Sequence, residues 1–168
     1  MNHLVRKYKE PKIGYYALMT DNCEIFYQPS TQNRSNIWND EFIRLTAGNC
    51  YLIVDIGQDE KNRSLIRLLV NSNVINVPLH MRSMMLFLKP TNHFEEKNFC
   101  ITGKLYYDRK VYEKIIEING GSYKNSMNHK IDFLITNSTH QTSKIEKAKN
   151  TGSNIISEHK FWDILNKK

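Results

Sequence analysis

The sequence predicts an α/β C-terminal half preceded by a mostly β N-terminal half, and three observations support this fold class. Residues 98–121 contain a short apolar strand, a polar turn, an amphipathic helix and a glycine pair. Residues 133–135 form an uninterrupted apolar run, Phe-Leu-Ile, as in buried parallel strands. Before residue 90, short apolar and β-branched runs alternate with polar turns, which is typical of strands.

The composition limits the class of protein. A chain of 168 residues is long enough for one domain or two small ones. It has no apolar run near the roughly 18 residues of a membrane span and no apolar signal core, so we expect a soluble intracellular protein without a membrane partner. Cys23, Cys50 and Cys100 lack metal-ligand spacing and are interpreted as buried free thiols. We therefore expect no metal and no cofactor.

The chain divides into four segments by composition. We predict a basic arm at residues 1–12, a mostly β domain at residues 13–90, a polar linker at residues 91–97 and an α/β domain at residues 98–168. The net charge of +7 is uneven, because residues 1–96 hold 11 Lys/Arg against 10 Asp/Glu and the rest hold 13 against 7. The basic character of the C-terminal half favours a polyanionic partner, with nucleic acid first.

No motif in the N-terminal half indicates a known family. Its predicted strands are residues 13–20, 23–28, 50–57, 64–70 and 74–77. We expect a tight hairpin at Asp21-Asn22 and a short helix over residues 40–45 with Asn39 as its cap, whereas residues 79–88 fit either a strand or a helix. Together these predicted strands and the short helix indicate a small barrel-like or α+β domain.

The candidate catalytic residues of this half do not have the sequence spacing of any known catalytic motif. The isolated candidates are His80, Asp55, Asp59 and Cys50, and no paired carboxylates suit metal-assisted hydrolysis, so we expect no enzymatic activity. The aromatic residues fit either base stacking or a core; they are Tyr15, Tyr16, Phe26, Tyr27 and Trp38.

The C-terminal half resembles a known family in the order of its motifs. Thr102-Gly103 ends the first strand, a helix capped by Asp108 leads to Gly120-Gly121, and then come the segments SYKNSM, IDFLIT, a short helix, NIIS and an aromatic helix. Over residues 97–167 this resembles the BRCT domain, especially the single BRCT modules of NAD-dependent DNA ligases and of the replication factor C large subunit. The resemblance implies a four-stranded parallel sheet flanked by three helices.

Local signals predict the ends of the second and third helices. Ser143 and Glu146 have the spacing of a capping box, which places Lys144 in the first helical turn. Ser157 is predicted to cap the last helix, in which Phe161 is buried and Trp162 is partly exposed. A cation in a first turn opposes the helix dipole, so Lys144 favours a bound anion.

The candidate site combines these residues. A threonine hydroxyl and a glycine amide before a helix suit an anion, and the resemblance implies that Thr102, Gly103 and Lys144 surround one phosphate. It also implies that Arg109 assists DNA binding. Further lysines are expected to extend the basic face toward neighbouring phosphates; they are Lys104, Lys110, Lys147 and Lys149.

Three functions remain open from the sequence. The first is a non-enzymatic protein of DNA replication or repair that binds a 5′ or backbone phosphate of DNA and recruits or positions a partner such as a polymerase, ligase or helicase. The second is a phosphoprotein-binding adaptor, which the family usually builds from two adjacent repeats where this chain has one. The third is an assembly module whose pocket is unused.

Overall fold

The computed structural model describes residue 8 and residues 10–27 and 41–166. Within these residues the N-terminal half is antiparallel β structure. Its strands are β1 (Tyr16–Met19), β2 (Cys23–Tyr27), β3 (Glu41–Leu45), β4 (Cys50–Gln58), β5 (Ser64–Val70), β6 (Asn73–Pro78) and β7 (Met85–Leu88), with a 3₁₀ helix at Leu79–Met84. Most of the predicted arm at residues 1–12 lies outside the described residues, as do Trp38 and Asn39.

A five-stranded sheet in the order β6-β5-β4-β1-β7 forms the centre of this half. The predicted strands at residues 50–57 and 64–70 are confirmed as β4 and β5, which pair antiparallel. The register shifts between Ile53 and Asp55, and Asp55 forms an ion pair with Arg67 across the strands. One face of the sheet is an apolar core that β2 and β3 cover, because Ile25 and Leu45 join the same cluster. Tyr15 packs against that core.

Two local predictions in this half are wrong. β1 and β2 do not form a hairpin, because β1 pairs on one side with β4 and on the other with β7, while β2 pairs with β3. Asn22 instead accepts a hydrogen bond from the Ala47 amide (2.8 Å) and ties the two sheets together. The expected helix over residues 40–45 is strand β3, where Arg44 is exposed and Leu45 is buried. Pairing with β2 outweighs helix propensity in so short a segment.

The C-terminal half has the expected architecture of a four-stranded parallel sheet and three helices. The sheet order is β11-β10-β8-β9. Its elements in chain order are β8 (Asn98–Ile101), α1 (Arg109–Ile118), β9 (Ser122–Tyr123), β10 (Phe133–Ile135), α2 (Ser143–Thr151), β11 (Asn154–Ile156) and α3 (Glu158–Asn166). The apolar stripe of α1 packs on the sheet, since Val111, Ile115 and Ile116 are fully buried.

Helix ends follow the sequence signals with one correction. Asp108 caps α1 by accepting a hydrogen bond from the Lys110 amide (2.9 Å), and the Ser157 hydroxyl accepts one from the Lys160 amide (3.1 Å) at α3. The cap of α2 is Thr142, whose hydroxyl accepts the Ile145 amide (3.3 Å), so Ser143 is the first helical residue. The capping box is therefore absent, because the acceptor lies one residue earlier than the motif predicts.

The two halves share one hydrophobic core. A single cluster joins Leu18, Leu86 and Leu88 of the N-terminal sheet to helices α1 and α3. Trp162 is 0% exposed in this cluster, so the expectation of partial exposure is wrong. Tyr8 covers it with its ring centroid 5.7 Å away and donates its hydroxyl to Asn166 (2.8 Å). Helix α3 therefore faces the N-terminal half and not solvent at this position.

Residues 91–97, predicted as a linker, pack on the end of α1. The Phe94 side chain is 2% exposed, and its amide donates to the Asn119 carbonyl (2.8 Å). The Thr91 hydroxyl donates to Asn119 Oδ1 (2.6 Å). Gly121 lies so close that a Cβ there would come within 2.9 Å of Phe94 Cβ. The predicted domain boundary at this segment stays a prediction.

Candidate phosphate-binding site

The site begins where strand β8 ends at Thr102-Gly103. The Thr102 amide donates to the Ile135 carbonyl of neighbouring strand β10 (3.1 Å), which fixes the start of the turn. Gly103 has φ +76°, in the left-handed region that favours glycine. Among the residues that the structure describes, neither the Thr102 hydroxyl nor the Gly103 amide has a hydrogen-bond partner. Two donors are therefore available on adjacent residues.

Lys144 reaches the same strand end from the first turn of α2. Its Nζ donates to the carbonyls of Ile101 (3.2 Å) and Asn125 (2.7 Å), and it lies 3.5 Å from the Cys100 sulfur. Ile101 directly precedes Thr102, so the structure brings the ammonium beside the predicted turn. Since the thiol is a weak acceptor, the third N–H of the ammonium remains available for a stronger one.

In the described part of the chain no carboxylate forms an ion pair with Lys144, and the nearest acidic residue along the helix is the exposed Glu146 in the same first turn. The N-terminus of α2 adds a further positive field. Burial raises the pKa of the Tyr123 hydroxyl, while the nearby Arg109 guanidinium lowers it and Cys100 raises it further.

The remaining predicted DNA contacts are spread around this centre. Lys104 is exposed next to Gly103, and Lys149 is exposed in the last turn of α2. Lys147 donates its Nζ to Asn128 Oδ1 (2.9 Å). Lys110 lies against the N-terminal half, because a Cβ at Gly48 would come within 2.6 Å of Lys110 Cβ. Their part in binding stays a prediction.

Glu158 is the main residue that the sequence analysis missed. It is the first residue of α3, its side chain is 1% exposed, and no periodic pattern marks it. Its carboxylate accepts hydrogen bonds from the Tyr106 amide (3.2 Å to each oxygen), from Asn137 Nδ2 (2.6 Å) and from the Tyr112 hydroxyl. The three donors satisfy this buried anion, so it anchors the β8–α1 loop and is not a ligand-binding group.

The β10–α2 loop closes the site on its other side. The Thr136 hydroxyl accepts the Ser138 amide (3.0 Å), and both side chains would lie 3.5 Å from a Cβ placed on Gly103. The β8–α1 loop itself borders a surface hollow of about 430 Å³. Its lining residues are Ile101, Gly103, Lys104, Leu105, Tyr106, Tyr107, Asp108 and Arg109.

The described residues form neither a metal-ligand cluster nor a membrane-spanning helix. Within residues 8, 10–27 and 41–166, no three side chains of His, Cys, Asp or Glu converge as metal ligands would. Nor does that part of the chain contain a helix with the length and apolarity needed to cross a bilayer.

Comparison with known proteins gives one family and a consistent set of relatives. The family model described as the BRCA1 C Terminus (BRCT) domain matches residues 89–165. A DNA ligase of Mesomycoplasma hyopneumoniae is 44% identical over 68 residues, covering 40% of this chain and 10% of the ligase. A DNA ligase of Mycoplasmopsis synoviae is 35% identical over 107 residues, covering 63% of this chain and 14% of the ligase.

A third relative matches a larger share of this chain. A DNA ligase of Mycoplasma mycoides subsp. mycoides is 31% identical over 144 residues, covering 80% of this chain and 20% of the ligase. The chain thus spans no more than about a fifth of the length of these three relatives.

Proposed function

We propose that this chain, whose residues 89–165 form a BRCT domain, acts in DNA replication or repair by holding a phosphate of DNA. In this proposal Thr102, Gly103 and Lys144 bind a 5′ or backbone phosphate. Arg109 and the surrounding lysines add affinity that does not depend on base sequence. The chain recruits or positions partner proteins and performs no catalysis of its own.

One observation carries the proposal: the Lys144 ammonium lies at the strand end that precedes two donors without a partner, and no carboxylate of the described residues forms an ion pair with it. The Thr102 hydroxyl and the Gly103 amide have no partner in the described residues, and the Lys144 ammonium is 3.2 Å from the carbonyl just before them. Phosphate only accepts hydrogen bonds and carries negative charge, so it complements a hydroxyl, an amide and an ammonium at once.

Two further facts favour DNA over a phosphopeptide as the source of that phosphate. The C-terminal half has 13 Lys/Arg against 7 Asp/Glu from residue 97 onward, which suits a polyanion. The relatives described above are named DNA ligases, and DNA is the substrate that their name gives.

The test measures phosphate dependence directly. Fluorescence anisotropy compares a labelled duplex that has a 5′ phosphate with the same duplex that has a 5′ hydroxyl. The dissociation constant for the 5′-hydroxyl duplex divided by that for the 5′-phosphorylated duplex is expected to be about 10 or more for the wild-type protein. Lys144→Ala removes a charge-assisted donor worth about 1.5–3 kcal/mol, so the ratio is expected to fall toward one by roughly 10-fold or more. Thr102→Val is expected to act in the same direction and more weakly.

A matched control separates the site from general charge. Lys160 is an exposed lysine in the first turn of α3, so Lys160→Ala removes the same charge from an equivalent helical position. It is expected to leave the ratio unchanged. Tighter binding of a phosphopeptide library than of either duplex would favour the adaptor function, and a wild-type ratio of one would refute the phosphate site. Melting temperatures of all variants show whether a loss of binding is a loss of fold.

A further inference from the structure

Tyr106 is an exposed aromatic residue on the loop that carries the proposed phosphate site. Its side chain is 62% exposed, the largest exposure of an aromatic residue among the described side chains. Tyr107 lies half-buried beneath it, with the ring centroids 4.8 Å apart and the planes at 87°. The edge-to-face contact supports the Tyr106 ring on one side and leaves its other surface open.

The backbone under this ring is held by buried groups. The Tyr106 amide donates to both carboxylate oxygens of Glu158 (3.2 Å each), and the Tyr107 amide donates to the Tyr112 hydroxyl (3.2 Å). Glu158 and Tyr112 are themselves buried. Two successive residues of a surface loop are therefore anchored to the core, so the exposed ring is presented in a defined place at little cost in conformational entropy.

The ring borders the same hollow as the phosphate-binding turn. Gly103, Lys104, Tyr106 and Arg109 all line it. Asp108 also lines it, but its carboxylate accepts the Lys110 amide at the positive end of α1. The hollow thus combines an apolar lining, which includes Ile101, Leu105 and Tyr107, with the exposed Tyr106 ring, two cations and the unpaired Gly103 amide. A nucleobase complements both kinds of lining, because it presents a π-face together with polar edges.

We infer that Tyr106 stacks on the base of the nucleotide whose phosphate Thr102, Gly103 and Lys144 hold. The inference rests on the proposed function and adds a substrate class: the ligand is a nucleic-acid end with an accessible face on its terminal base. Tyr106 then distinguishes a DNA terminus from a phosphate in the middle of a duplex, where stacking on both sides hides the face of each base.

The test separates the base from the phosphate. Anisotropy compares two 5′-phosphorylated duplexes that differ only in the terminal 5′ nucleotide, which is normal in one and abasic in the other. Base–aromatic stacking removed by alanine corresponds to a loss of about 5-fold or more in affinity. Tyr106→Ala is expected to lose that factor on the normal end and nothing on the abasic end. Tyr106→Phe keeps the ring and is expected to bind both duplexes as the wild-type protein does.

Each other outcome overturns the inference. Equal losses for Tyr106→Ala on the two ends would mean that the residue does not contact the base. A loss for Tyr106→Phe as large as that for Tyr106→Ala would assign the effect to the hydroxyl. An effect of Tyr106→Ala on a phosphopeptide alone would assign the surface to protein. Repeating the series with 5′-hydroxyl ends tests the base contact independently of the phosphate site, because the difference between normal and abasic ends is then measured without the phosphate.

Discussion

Removing the Glu158 carboxylate is expected to destabilise the protein strongly, because this buried anion holds together three segments. It satisfies the Tyr106 amide of the β8–α1 loop, the Asn137 side chain of the β10–α2 loop and the Tyr112 hydroxyl of α1. The backbone amide of Glu158 also donates to Asn137 Oδ1 (3.0 Å), so the two residues are linked twice. Glu158→Ala leaves all three donors without their acceptor.

The magnitude follows from the burial of each donor. A hydrogen bond to a charged acceptor contributes about 1.5–3 kcal/mol. Tyr106 and Asn137 are exposed residues, so water replaces part of what they lose, whereas Tyr112 is 0% exposed and has no such replacement. We expect Glu158→Ala to lower the free energy of unfolding by about 3–5 kcal/mol. Glu158→Gln keeps the size and one acceptor oxygen, so about 1–3 kcal/mol is expected.

Urea unfolding followed by tryptophan fluorescence and circular dichroism measures these differences. A change in the midpoint at constant slope reports stability alone. Glu146 is exposed in α2 and has no buried side-chain partner among the described residues, so Glu146→Ala is the control and is expected to change stability by less than about 0.5 kcal/mol. A loss below about 1 kcal/mol for Glu158→Ala would refute the anchoring role. Equal losses for the alanine and glutamine variants would show that packing, and not the carboxylate, matters.

Three further predictions concern the cap of α2, alkaline pH and the shared core. Thr142→Ala is expected to lower the free energy of unfolding in urea by about 1 kcal/mol and Ser143→Ala by less than about 0.5 kcal/mol, because Thr142 is the capping residue. A larger loss for Ser143→Ala would instead support Ser143 as the cap. Burial, with smaller contributions from nearby acidic groups, raises the pKa of Tyr107 from 10.0 to about 12. The contribution of Tyr107 to stability is therefore fully present below about pH 10 and is lost as the pH rises toward about 12. Tyr107→Phe is expected to reduce the fall of the melting temperature with pH over that interval, and an unchanged fall would contradict this. Leu86→Ala, at a fully buried position of the shared cluster, is expected to lower the free energy of unfolding by about 2–5 kcal/mol. Unfolding is expected to remain a single transition that all probes report at the same midpoint, and separate transitions of the two halves would contradict the shared core. The control Val74→Ala, at 48% exposure, is expected to lower the free energy of unfolding far less.

Short-range signals predicted the parts of the fold that depend on neighbouring residues. Asp108 and Ser157 cap their helices because a side-chain oxygen needs only the amides two or three residues ahead. The same reasoning missed the cap of α2 by one residue, since Thr142 and Ser143 are both suitable and only the backbone conformation selects between them. Strands β4 and β5 were predictable because their apolar runs are long and separated by one polar turn.

Pairing between distant segments decided what short-range signals did not. Asp21-Asn22 has the composition of a hairpin turn. However, β1 pairs with two strands that lie far along the chain, β4 at Leu52 and β7 at Leu88. Both edges of β1 are therefore occupied, and β2 pairs with β3 in another sheet. Trp162 was expected to be partly exposed because the adjacent Phe161 takes the core position of its helix. Tyr8 of the N-terminal half packs against Trp162, which is 0% exposed in the shared cluster.

For the candidate site, the sequence by itself determined which chemical groups are present: a threonine hydroxyl and a glycine amide after one strand, and a lysine in the first turn of a later helix. Only the tertiary structure decided that the Lys144 ammonium lies at the end of β8, 3.2 Å from the carbonyl of the residue before Thr102, because β8 and β10 run parallel and α2 follows β10. It also decided that Glu158 is buried and that Tyr106 is exposed. Burial depends on what packs against a residue from elsewhere in the chain, and no local pattern carries that information.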